Sequence, residues 1–143
     1  MVLHHHDPCT DFLCPIYARL PGISVLRRPE PAAEMTKLIR IHRRVILLGH
    51  GHSSGLLFTL EGRHAASLPS KADSLFIWCH ASSFALQHNL LGFATGMCIS
   101  EVPEARYCGI SGPRCTANAV SRSNQLLVRL VAEEVVAPME NLF

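Results

Sequence analysis

The sequence predicts an α/β protein: a three-layer sandwich in which a mostly parallel sheet carries helices on both faces. Two runs carry that prediction. Val45-Ile46-Leu47-Leu48 and Leu75-Phe76-Ile77-Trp78 are each four consecutive apolar residues, the pattern of a strand buried on both faces rather than one with a wet side. The third observation is alternation. Segments with helical spacing fall between the strand-like runs, which is how parallel strands are joined. Sheets of this kind bind ligands beyond the carboxyl ends of their strands.

Taken in order, Val2 and Leu3 suit a first strand that Asp7-Pro8 ends. Asp7 or Thr10 can cap a helix in which Phe12, Leu13, Ile16, Tyr17 and Leu20 follow helical spacing, with Pro15 making its start irregular. Pro21-Gly22 stops it, and residues 23–26 read as a second strand. Glu30-Pro31 opens a helix that buries Met35, Leu38 and Ile39 and ends in basic residues 42–44, the favourable end for positive charge. The strand at 45–48 follows, then a short strand or hairpin arm at 56–60. Residues 63–73 are the least readable, with Ser70 or Asp73 able to begin a brief helix. The strand at 75–78 leads into a helix at 81–88, and a fifth strand is expected at 91–99, weakened by Gly92 and Gly96. Ser100 is a good N-cap for a helix holding Val102, Ala105 and Tyr107. A loop at 109–115 precedes a long amphipathic helix at 117–136, closed by Pro138.

With 143 residues the chain is long enough for one domain with a real core, so residues 1–143 are read as a single domain. Hydrophobic residues at 48% and charged residues at 17% make it globular rather than disordered. A net charge of +2, with the Arg27-Arg28 and Arg43-Arg44 pairs read as solvated ends, argues against a nucleic-acid partner. No apolar run is long enough to span a membrane. The start has no basic segment ahead of an apolar one, so no signal peptide is expected. The six cysteines are then expected as reduced thiols in a cytoplasmic protein.

The chemistry gathers where the apolar runs end. Leu48 is followed by Gly49-His50-Gly51-His52-Ser53-Ser54-Gly55, and Trp78 by Cys79-His80. If the two strands are parallel neighbours, a base and a nucleophile meet. A thiolate is the reactive form of cysteine, and a helix start or a nearby histidine stabilises it. Cys79 is placed for both aids, and His50 lies between two glycines. The backbone N–H groups of Gly51 and Cys79 are candidates for an oxyanion hole. The plainer reading makes Cys79 a small buried hydrophobe and His50 a hydrogen-bonded loop histidine.

A strand ending in Leu48-Gly49-His50-Gly51 followed by one ending in Ile77-Trp78-Cys79 resembles the caspase–hemoglobinase fold, the group of caspases, metacaspases, gingipains and separase. Residues 45–57, 76–79 and 96–105 (GMCISEVPEA) are similar to short bacterial caspase-like proteins. The resemblance implies a caspase-like, flavodoxin-like sheet and a cysteine endopeptidase that needs no cofactor or metal. His50 would be its base, Cys79 its nucleophile, and a peptide or protein its substrate. It also implies a substrate pocket partly lined from the end of the first strand, where Asp7 can accept a basic side chain. His52 and His80 flank that cleft as further substrate-binding candidates. Asp7 as a helix cap before Pro8 is the alternative.

Two other chemistries fit the same residues. Gly51-His52-Ser53-Ser54-Gly55 spells G-x-S-x-G, the nucleophile elbow of serine hydrolases, with Ser53 attacking. His50, His52, Cys79 and His80, with the run His4–His6 nearby, are zinc-type ligands, which leaves room for a non-catalytic or metal-binding module. The remaining cysteines (Cys9, Cys14, Cys98, Cys108, Cys115) are read as packing residues.

Overall fold

The computed structural model describes residues 1–28, 30–57, 60–61 and 73–140, without the side chains of 60, 61, 134 and 136–140. The expectations for 63–72, Ser70 included, lie outside the described residues. The chain divides into two compact units: Met1–Asp7 with Ile23–Cys98, and Pro8–Gly22 with Ile99–Phe143.

The first unit is α/β. Its strands are β1 (Val2–His4), β2 (Val25–Leu26), β3 (Ile46–Leu48), β7 (Leu75–Ile77) and β8 (Phe93–Ala94), ordered β2-β1-β3-β7-β8. Every neighbouring pair is parallel. The runs that read as strands buried on both faces are β3 and β7 at the centre of the sheet. One face, carrying Leu3, Val45, Leu47, Phe76 and Trp78, packs against Met35 and Ile39 of α1 (Ala32–Ile41) and Phe84 of α2 (Ala81–Gln87). Fully burying such a side chain contributes roughly 1.5–3 kcal/mol. Val2, Ile46, Leu48 and Ile77 on the other face are buried too, as in a sheet covered on both sides.

Between β3 and β7 a small antiparallel sheet is built from β4 (Gly51–His52), β5 (Gly55–Leu56) and β6 (Leu60–Glu61). His52 pairs with Gly55, so Ser53-Ser54 is a two-residue hairpin turn. The expected fifth strand at 91–99 is reduced to Phe93–Ala94. Gly92 has φ +126°, and a Cβ there would meet the Ser74 carbonyl oxygen at 2.4 Å; the chain enters the sheet only after that close approach. Beyond Ala94 the side chain of buried Thr95 takes over the ladder. Its hydroxyl accepts from the Trp78 N–H (3.1 Å) and donates to the Trp78 carbonyl (2.8 Å).

In the second unit residues 11–16 form a 3-10 helix (Asp11–Ile16) where an α-helix was expected. Pro15 inside it has no N–H for an α-helical bond. Leu13 and Ile16 are buried. Helix α3 (Val102–Tyr107) has Glu101 at its N-cap, one residue beyond the expected Ser100. Ser100 still serves the start: its N–H and Oγ both bond Glu104 Oε2, at 2.7 and 2.8 Å. Helix α4 (Ala117–Glu140) runs four residues past the expected end at 136; a proline removes one helical bond but does not by itself end a helix. Among the described residues no helix is long and apolar enough to cross a membrane.

Candidate active site

The register of the sheet assembles the site. Leu48 of β3 pairs with Ile77 of β7, and His4 of β1 pairs with Leu48. His50 and Cys79 therefore lie two residues beyond the same level of adjacent parallel strands, and Asp7 leaves from the strand on the far side of β3. The Gly49 N–H still donates to the Ile77 carbonyl (3.1 Å), which carries the pairing to the residue before His50.

His50 and Asp7 meet: Nε2 is 3.1 Å from Asp7 Oδ2, with the side chains 36% and 35% exposed. A carboxylate only accepts, so Nε2 carries a proton, and in the neutral imidazole it is Nδ1 that keeps the lone pair. Thr10, not Asp7, holds the N-cap position of the 3-10 helix; Asp7 lies three residues before it. Its carboxylate serves the histidine.

Cys79 is partly exposed, and its thiol donates to the Cys98 carbonyl oxygen at 3.1 Å. That contact uses the thiol hydrogen, so it describes the protonated cysteine. The turn after it is tight. His80 has φ 63° and stands at the N-cap of α2, a left-handed conformation that histidine visits more readily than most residues. The His80 N–H donates to the Gly96 carbonyl (2.7 Å) and that of Ala81 to the Trp78 carbonyl (3.2 Å). His80 itself is exposed.

Gly51 sits under the Trp78 indole. A Cβ there would lie 2.2 Å from Trp78 Cδ1 and 2.7 Å from the Gly55 carbonyl oxygen, so only glycine fits. The indole Nε1–H donates to the His52 carbonyl (3.1 Å), pinning the hairpin over the end of β7. Because the Leu57 N–H donates to the His50 carbonyl (2.9 Å), Gly51–Leu56 is the non-hydrogen-bonded pair of the hairpin. The ladder therefore does not use the Gly51 N–H.

His52 and Ser53 go elsewhere. His52 is exposed on the hairpin, and its Nδ1 lies 2.6 Å from the hydroxyl of Ser54, not Ser53. Ser53 is an exposed turn residue followed by strand β5, whereas a nucleophile elbow needs a helix after the serine. Nor do His50, His52, Cys79 and His80 bring three donor atoms within 4.8 Å of one another among the described residues.

The chain matches no family model, no curated protein and no solved structure.

Two features were not read from the sequence. Arg27, taken for a solvated charge, donates to Nδ1 of buried His4 (2.8 Å) and Nδ1 of His6 (3.2 Å). A guanidinium has no acceptor, so both imidazoles take the bond on a lone pair. Burial, and after it the Arg27 charge, lowers the pKa of His5 below the ordinary imidazole value. The only available signal was that Arg27 ends one strand-like run and the histidines end another. The second feature is the Cys98 carbonyl as thiol acceptor, a main-chain contact that no side-chain pattern reports.

Proposed function

We propose that the first unit is a cysteine-dependent hydrolase of peptide bonds, with Cys79 as nucleophile, His50 as base and Asp7 orienting the imidazole. One observation carries this reading. Two adjacent parallel strands carry His50 and Cys79 two residues past the same paired level, and His50 Nε2 is held by the Asp7 carboxylate. The arrangement follows the logic of nucleophile, base and orienting acid.

In the proposed mechanism the Cys79 sulfur leaves the Cys98 carbonyl and passes its proton to His50 Nδ1. The sulfur attacks the scissile carbonyl carbon, and the Gly51 and Cys79 N–H groups stabilise the developing oxyanion. The C–N bond breaks as His50 returns the proton to the leaving amine, giving a thioester. Water, deprotonated by His50, then releases the acid and restores the thiol. Asp7 holds the Nε2 proton throughout, so the role first considered for it, binding a basic substrate side chain, is not part of this reading. His52 and His80, both exposed, remain the candidates for substrate contact.

The test is hydrolysis of a blocked peptide library followed by mass spectrometry. The protein is expected to cleave a subset and to form an acyl adduct on Cys79 that hydroxylamine removes. Cleavage that persists in Cys79→Ala would refute the assignment.

A further inference from the structure

The first unit holds two of the six cysteines, Cys79 and Cys98, while Cys9, Cys14, Cys108 and Cys115 belong to the second. The two of the first unit meet. The Cys79 thiol donates to the main-chain carbonyl of Cys98 at 3.1 Å. Covalent geometry then puts the Cys79 sulfur within about 6 Å of the Cys98 Cα.

The approach is built into the sheet. The Thr95 hydroxyl bonds both the N–H and the carbonyl of Trp78, and the Gly96 carbonyl accepts from the His80 N–H. Cys79 thus stands between two residues tied to Thr95 and Gly96, and Cys98 follows two positions later. Residues 97–100 belong to no helix or strand, so turning the Cys98 side chain toward Cys79 breaks no ladder. Exposure separates the two thiols. Cys79 is partly exposed and Cys98 only 9% exposed, so an oxidant arriving from solvent meets Cys79 first.

We infer that Cys79 and Cys98 are a reversible redox pair: a hydroperoxide oxidises Cys79, and Cys98 converts the product to a disulfide. In the first step the Cys79 sulfur attacks one oxygen of hydrogen peroxide. The O–O bond breaks, and the thiol proton leaves with the other oxygen as water, giving a sulfenic acid. In the second step the Cys98 sulfur attacks the sulfenic sulfur and the S–O bond breaks. The departing hydroxide takes the Cys98 proton as a second water. Two thiols lose two electrons to the peroxide, and a dithiol reductant reverses the change. The disulfide withdraws Cys79 from chemistry and spares it from irreversible oxidation to sulfinic acid. Its effect on hydrolysis rests on the function proposed above; the bond itself does not.

The experiment treats the full chain, reduced and freed of reductant, with hydrogen peroxide. The product is alkylated, digested without reductant and mapped by mass spectrometry. The Cys79–Cys98 cross-link is expected to exceed any cross-link between chains by about a hundredfold, because at micromolar protein a neighbouring thiol acts at a millimolar effective concentration. Dithiothreitol should then restore Cys79. Cys98→Ser keeps the main-chain carbonyl but removes the second thiol. In that variant dimedone should trap Cys79 as the sulfenic acid, and longer exposure should carry it to sulfinic acid that dithiothreitol does not reverse. The inference is overturned if Cys79 stays a thiol under peroxide, if it oxidises without pairing to Cys98, or if Cys98→Ser recovers as fully as the native chain. Failure of the hydrolase reading shows differently: no peptide is cut before oxidation, while the cross-link still forms.

Discussion

Two histidines two residues apart occupy opposite situations. His50 is held by Asp7 across two strands of the sheet, both side chains about one-third exposed at 36% and 35%. His52 is exposed and bonds the hydroxyl of Ser54, the second residue of the two-residue turn that follows it. The His50 contact joins residues 43 apart in the chain and exists only because β1 and β3 are parallel neighbours. The His52 contact comes with the hairpin and asks nothing of the rest of the fold. A polar pair made by topology has its geometry fixed by the whole sheet, which is what poised chemistry requires. A pair made by a turn is local backbone chemistry of the kind serine routinely provides.

That contrast is broken first by substitution. His50→Ala is expected to lower kcat for peptide hydrolysis by roughly 10²–10⁴-fold, the usual loss of a general base, while His52→Ala leaves kcat within about twofold; equal losses in kcat would erase the distinction. Asp7→Asn should lower kcat by about a hundredfold with little change in KM. That is less than the ~10⁴-fold seen for a buried orienting acid, because Asp7 is 35% exposed. A rise in KM alone would return Asp7 to substrate binding.

The hairpin's seat on the sheet can be tested by stability. Gly51→Ala puts a Cβ against the Trp78 ring and the Gly55 carbonyl, and should cost about 1–3 kcal/mol in denaturant unfolding. Ser54→Ala removes only the turn contact to His52 and should change stability by less than about 0.5 kcal/mol.

A smaller effect concerns the exit of β1. The pKa of His5 is lowered in the fold from 6.5, by burial first and Arg27 second. The unfolded chain therefore binds more protons just below pH 6.5. The stability this histidine allows is present in full above pH 6.5 and is lost as the pH falls through the lowered folded value. His5→Gln should flatten that slope in melting temperature against pH; an unchanged slope would assign it to other groups.

How much of this was legible depended on whether the cause lay nearby in the chain. Residues 45–48 and 75–78 read as central strands because continuous apolar runs tolerate no wet face. His50 and Cys79 could be matched because each lies just past such a run. The hairpin was obscured because Gly-His-Ser-Ser-Gly carries the letters of an elbow, and only the strand that follows shows it to be a turn. Asp7 was read as a cap or a pocket residue, since nothing near it in sequence announces a histidine 43 positions on. Pro15 correctly warned of irregularity without saying that it would produce a 3-10 helix. The fifth strand was drawn too long because Gly92 was weighed as a weak strand former rather than as a close approach to Ser74.

The most direct measurement is the rate at which iodoacetamide alkylates each of the six cysteines, followed by mass spectrometry in the native protein and in His50→Ala and His52→Ala. The account predicts that Cys79 reacts ahead of the other five at neutral pH, that His50→Ala removes its lead, and that His52→Ala leaves it. Uniform reactivity, or a Cys79 rate indifferent to His50, would contradict it.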